Sequence, residues 1–138
     1  MVVRFLVCAI AGGIVIFVLG FLIYGLALAG WIQANTVQYP GLILDPPNFV
    51  ALAISNIVWA GMIAFVADNW ANARNFGAGM KVGGILMFFS AMAVNLQNTA
   101  FMNIFENMLV PVVDVAGVTF MGVFAGGVIG FILGKMTK

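Results

Sequence analysis

Few polar residues in this chain could do chemistry, and most of them fall toward one end of its predicted helices. Asn95, Asn98 and Thr99 stand at i, i+3 and i+4, so they share one face of a helix. Asn103 continues that face at i+8. Polar residues of other predicted helices are expected at a similar depth. The resulting polar cluster comprises Tyr24, Asn56, Asn95, Asn98, Thr99, Glu106 and Asp114.

The sequence leaves two interpretations of the polar cluster open. Amides and hydroxyls inside a membrane bond one helix to the next and fix a bundle. Alternatively, the cluster lines an outward-opening cavity for an ion, a quinone head group or a small solute. Asp114 would then be the charged element, and Asn56, Asn95 and Asn98 the wall. Asp114 also has a simpler explanation, because an acid in the first turn of a helix interacts favourably with the helix dipole.

A second pattern consists of glycines that recur every four residues in the last predicted helix: Gly122, Gly126, Gly130 and Gly134. This spacing places them on one face, and without side chains that face forms a groove for another backbone. Gly79 and Gly83 form a shorter version in the third predicted helix. The groove receives either a helix of the same bundle or a helix of a second subunit.

The missing residue types narrow the chemistry further. The chain has no histidine, so histidine metal sites and a histidine general base are absent. Its single cysteine, Cys8, cannot form a thiol–disulfide relay. We therefore expect no enzymatic activity, catalytic residue, metal or dedicated cofactor; a bound lipid or quinone stays open. The few basic residues form no patch for nucleic acid.

The elements that position these residues are predicted to be membrane-spanning helices. Charged residues make up 7% of the chain and hydrophobic residues 64%, whereas a soluble domain is about a quarter charged. A span takes about 20 apolar residues, so we predict an all-α polytopic membrane protein with one domain, residues 1–138. Its four transmembrane helices cover residues 5–31, 49–67, 78–101 and 112–134. Short links should make consecutive helices antiparallel neighbours in an up-down bundle within the lipid bilayer.

The signs of the charges predict the orientation of this bundle. Basic residues lie at one end of the predicted helices: Arg4, Arg74, Lys81, Lys135 and Lys138. The acids Asp45, Glu106 and Asp114 lie in or beside the links at the other end. Since Lys and Arg near spans stay in the cytoplasm, we predict cytoplasmic N- and C-termini, in a bacterial inner (cytoplasmic) membrane. Asp68 is expected to form a solvated, weak pair with Arg74 or Lys81.

Short segments carry a resemblance that covers most of the chain. They are Gly20-Phe21-Leu22-Ile23-Tyr24-Gly25 with Trp31 after it, Phe76-Gly77-Ala78-Gly79 leading into Gly83-Gly84, Asn98 to Phe101, and the glycine-rich last helix. These segments resemble a bacterial family of small four-helix integral membrane proteins, a domain of unknown function. The resemblance implies a four-helix membrane fold and brings no activity or site residue.

The leading functional hypothesis is a non-catalytic integral membrane subunit. It would assemble through glycine-rich helix faces, as a homo-oligomer or with other subunits of a larger membrane complex. The alternative is a small channel or carrier with an outward-facing, asparagine-lined cavity for an ion or small solute. A lipid- or quinone-binding component of an enzyme is a third candidate.

Overall fold

The computed structural model describes residues 1–136; Lys138, one of the predicted orientation signals, lies outside this range. Within it the chain is helical, and no strand forms. The elements are α1 (Val2–Gly20), a π-helical segment (Phe21–Ala27), α2 (Ala29–Ala34), α3 (Phe49–Asn69), α4 (Phe76–Phe101) and α5 (Leu109–Met136). Four stretches are long and apolar enough to cross a membrane: Val2–Ala27, Phe49–Asn69, Phe76–Phe101 and Leu109–Met136. The prediction of an all-α protein with four helices long and apolar enough to span a membrane is thus confirmed.

Helix boundaries differ most from the prediction in the first span. We predicted one helix through Trp31, but the helix breaks at Leu28, and Trp31 belongs to the separate α2. The Leu28 N–H donates to the carbonyl of Ile23, five residues back, at 2.7 Å. That bond is the wide turn of a π-helix, and it ends the span. Asn48 caps the start of α3, because its Oδ1 accepts the Ala51 N–H at 3.0 Å.

The most extensive helix contact joins α4 to α5 through glycines. A Cβ atom on Gly83 would lie 2.9 Å from Gly126 Cα and would collide with the carbonyl oxygen of Gly122. A Cβ on Gly130 would lie 2.9 Å from Gly79 Cα. We call this contact the glycine seam; its members are Gly79, Gly83, Gly122, Gly126 and Gly130. The glycine face of α5 therefore packs inside the bundle, against α4 of the same chain.

Helices α3 and α5 both pack against α1. A Cβ on Gly13 would lie 3.0 Å from Ile57 Cα, so α1 packs closely on α3. On Gly12, a Cβ would meet both Ala60 and Ile129, which brings α5 against the same helix. By contrast, α3 and α4 make few contacts. The expectation that all consecutive helices are close neighbours does not hold for this pair, because the glycine seam draws α4 toward α5.

One end of the helices, which we call the arginine end, is joined by a cluster of charges. The carboxylate of Asp68, near the end of α3, lies 2.8 Å from Arg4 Nη2 and 2.6 Å from Arg74 Nη1. Its side chain is only 7% exposed. The expected solvated, weak pair is therefore corrected: Asp68 is largely buried, and it joins α1 to the link before α4. Gly134 of α5 packs against the Arg74 carbonyl at the same end.

Two links meet at the opposite end, which we call the loop end. Thr36 and Phe105 form an antiparallel β-bridge. The Tyr39 hydroxyl donates to the carbonyl of Asn103 at 2.8 Å. These bonds connect the link after α2 with the link between α4 and α5.

The glycine seam predicts a steric effect of single methyl groups. Gly83→Ala should lower the thermal midpoint in mild detergent, because its Cβ meets backbone atoms of α5 that cannot move aside alone. Gly30→Ala is the matched control: nothing lies within 4 Å of a Cβ there. A midpoint for Gly83→Ala at or above that of the unmodified protein would contradict the seam.

Asp68 predicts a second effect on stability. Asp68→Asn should lower the same thermal midpoint, because it leaves the guanidinium groups of Arg4 and Arg74 without their carboxylate. Asp45→Asn, an exposed acid in the link before α3, serves as the control and should leave the midpoint unchanged. Equal midpoints for the two variants would show that the charge cluster does not stabilise the fold.

A candidate binding site around Asp114

Asp114 lies in α5, five residues after the helix begins at Leu109. The first turn of α5 contains no acid. The explanation that Asp114 stabilises a helix start is therefore corrected: we predicted the helix to begin at residue 112, and it begins earlier. At 1.5 Å per residue, Asp114 is displaced along the helix axis by about 7.5 Å from the start of the helix. Its local surroundings, rather than the helix dipole, must account for it.

One oxygen of the Asp114 carboxylate is bonded by Tyr24. The phenol donates to Oδ1 at 2.7 Å, and its oxygen also lies 3.2 Å from the carbonyl oxygen of Asp114. Tyr24 belongs to the π-helical segment Phe21–Ala27. Gly117 provides the room, since a Cβ there would lie 2.8 Å from the tyrosine oxygen.

The other carboxylate oxygen is bonded by Asn95 of α4. Its amide nitrogen donates to Asp114 Oδ2 at 2.6 Å and to the carbonyl of Ala91 at 2.9 Å. Asn95 is 6% exposed and is the one buried polar residue within residues 1–136. Uncharged donors from two different helices thus hold both oxygens of Asp114 in place.

Within residues 1–136, no Arg or Lys side chain lies at salt-bridge distance from this carboxylate. Both salt bridges found within residues 1–136 involve Asp68, at the arginine end. Ionisable groups inside the membrane-spanning region are rare and usually mark an ion or substrate pathway or a buried pair. Asp114 accepts hydrogen bonds from Tyr24 and Asn95, but no Arg or Lys of residues 1–136 pairs with it.

A cavity of about 150 Å³ adjoins Asp114, in the space that α3 and α4 leave between them. We call it the Asp114 cavity. Its polar walls are Asn56 of α3, Ser90 and Asn95 of α4, and Asp114 of α5. The apolar walls include Ile16, Trp59, Met87, Val118 and Met121. Three of the four polar wall residues were among those predicted from the sequence to gather at one depth.

Other members of the predicted cluster lie elsewhere. Asn98 does not line the Asp114 cavity, and Glu106 is an exposed residue of the link before α5. The Thr99 hydroxyl donates to the backbone carbonyl of Asn95 at 2.9 Å. Asn103 lies beyond the end of α4 at Phe101, so the helical face does not extend to it. The structure therefore brings together Tyr24, Asn56, Asn95 and Asp114. The other three members of the polar cluster, Asn98, Thr99 and Glu106, lie outside this group.

A wider groove of about 790 Å³ runs along the outer side of α4 and α5. Its lining is mainly apolar, and Asn95 and Thr99 contribute to it. Asn95 therefore separates this groove from the Asp114 cavity.

Sequence reasoning missed two polar contributors. Ser90 lines the Asp114 cavity, but it stands five residues before Asn95 and so lies off the i−3/i−4 row of that residue; the spacing carries no signal for it. Arg4 was assigned only to orientation, and nothing in the local sequence signals its contact with Asp68, 64 residues away.

The bond between Tyr24 and Asp114 predicts an energetic coupling. In a double-mutant cycle with Tyr24→Phe and Asp114→Ala, we expect a coupling of about 1.5–3 kcal/mol, as for hydrogen bonds to charged groups. The measurement is unfolding in mixed detergent micelles. Tyr39→Phe combined with Asp114→Ala is the control cycle, because Tyr39 bonds Asn103 instead. Additive effects in both cycles would contradict the bond.

No family model, curated protein or solved structure matches this chain. The resemblance to the bacterial four-helix family therefore stays a prediction.

Proposed function

We propose that this integral membrane protein is a small carrier that binds an ion or small solute in the Asp114 cavity. The observation that supports this proposal most directly is a carboxylate held by two uncharged donors beside a polar cavity, with no Arg or Lys of residues 1–136 at salt-bridge distance. Interhelical bonding alone would not require an acid, since asparagine and threonine bond helices without placing a charge in the membrane region. A binding role explains why an acid stands there.

The proposed orientation places the arginine end in the cytoplasm and the loop end outside. Arg4, Arg74 and Asp68 meet at the first end, and the contacts of the two links lie at the other. These contacts support an antiparallel up-down bundle, and the basic residues support cytoplasmic termini. The Asp114 cavity then lies in the outer half, as expected for an outward-facing site. The membrane in this proposal is the bacterial inner membrane.

A carrier fits this packing better than an open channel. Toward the arginine end, the side chains of Ile63, Ile129 and Leu133 are fully buried. The glycine seam closes α4 against α5 over the same stretch. A channel requires a continuous polar path, whereas a carrier closes one side of its site at a time.

The competing proposal is a non-catalytic subunit that assembles through its glycine faces. Gly122, Gly126 and Gly130 pack against α4, and Gly134 packs against the Arg74 carbonyl. A homo-oligomer or a larger membrane complex would therefore have to use another surface. The absence of enzymatic activity remains part of both proposals.

The test is solute uptake into proteoliposomes. Uptake of radiolabelled sodium, rubidium, urea and glycerol is compared between the unmodified protein, Asp114→Asn and Glu106→Gln. We expect uptake of at least one solute above that of protein-free vesicles, its loss in Asp114→Asn, and its retention in Glu106→Gln, because Glu106 lies outside the cavity. Absence of uptake of all four, or unchanged uptake by Asp114→Asn, would refute the carrier.

A further inference from the structure

The geometry points to a partly hydrated monovalent cation as the ligand of the Asp114 cavity. This inference rests on the proposed function for the choice of site. It adds three properties of the ligand: the sign of its charge, the magnitude of that charge, and its hydration. Each follows from a different observation.

The sign follows from the direction of the hydrogen bonds. Asn95 donates both amide hydrogens, one to Ala91 and one to Asp114. The single hydrogen of the Tyr24 hydroxyl is directed to Asp114 as well. What the cavity-lining members Asn95 and Asp114 still offer is oxygen: the amide carbonyl of Asn95 and the remaining lone pairs of the carboxylate. A ligand that meets oxygen lone pairs around a negative charge is a cation.

The positions of the basic residues lead to the same sign. Arg4 and Arg74 are bound to Asp68 at the arginine end. Lys135 lies in the last turn of α5, far along the helix from Asp114. No basic side chain within residues 1–136 forms an ion pair with Asp114. An anion would therefore meet uncompensated repulsion in this cavity.

The magnitude of the charge follows from the number of acids. Within residues 1–136, no group of three or more His, Cys, Asp or Glu side chains stands close enough to hold a metal ion. Calcium sites use six to eight oxygens, carboxylates among them, and magnesium requires near-ideal octahedral geometry. One carboxylate neutralises one positive charge, and a divalent ion would leave an excess charge in the membrane region. A monovalent ion leaves none.

The hydration follows from the size of the cavity. A water molecule takes about 30 Å³ in the liquid, so the volume of about 150 Å³ exceeds that of a bare alkali ion. Asn56 and Ser90 add polar groups on the walls from α3 and α4. Together with Asn95 and Asp114 they could bond one or more waters carried in with the ion.

The experiment is equilibrium dialysis of radiolabelled sodium and rubidium against the full protein in mild detergent. We expect saturable binding of one of the two ions. Asp114→Asn should abolish it, and Tyr24→Phe should weaken it about tenfold, as loss of a group that orients a ligand does. Asn95→Ala should also weaken binding, whereas Asn98→Ala, the matched control, should not, since both are α4 asparagines and only Asn95 lines the cavity. Asn56→Leu fills the cavity from α3 and should also remove binding. It therefore replaces Asp114→Asn as the test if that variant fails to fold.

The outcomes separate this inference from the carrier. Uptake of urea or glycerol that depends on Asp114, without saturable cation binding, supports the carrier and overturns the inference. Cation binding that depends on Asp114, without uptake, supports the inference and overturns the carrier. Displacement of bound sodium or rubidium by an equal concentration of calcium or magnesium overturns the monovalent assignment. Binding that survives both Asp114→Asn and Asn56→Leu overturns the site.

Discussion

The backbone contact between α4 and α5 is the constraint on which the other features of the structure depend. Because the seam glycines carry no Cβ, the two helices approach until carbonyl oxygens and Cα atoms face each other. That approach brings Asn95 of α4 within hydrogen-bond distance of Asp114 of α5. It also draws α4 away from α3, which leaves space for the Asp114 cavity. Scaffold and candidate site are therefore products of the same packing.

Much of this arrangement could be predicted from the sequence, because its signals are periodic or local. Four apolar stretches predict four spans, and Asn48 is recognisable as a helix cap. Helical rise alone places Asn56, Asn95 and Asp114 at one depth. The repeat of glycines predicts a packing face, but its spacing carries no information about which helix fills it. That choice depends on how helices pair, and only the fold supplies it.

The remaining features arise from contacts between distant residues or from departures from regular helix. Arg4 and Asp68 are 64 residues apart. The π-helical segment that contains Tyr24 has no simple sequence signature, so the sequence predicts a regular helix through Trp31. Asn98 shares a helical face with Asn95, yet only Asn95 lines the cavity. The way the helices cross exposes only part of that face to the cavity, and residue spacing alone does not show which part. The early start of α5 likewise changed the interpretation of Asp114.

The long separation between Tyr24 and Asp114 has a consequence for biosynthesis. The two residues are 90 positions apart, and ribosomes make proteins from the N-terminus. Tyr24, Asn56 and Asn95 are therefore all synthesised before Asp114. The neutral donors can be in the membrane by the time the carboxylate arrives, so the costliest group to transfer into lipid enters last, when its hydrogen-bond partners already exist. The order of the helices along the chain favours safe insertion of the charge.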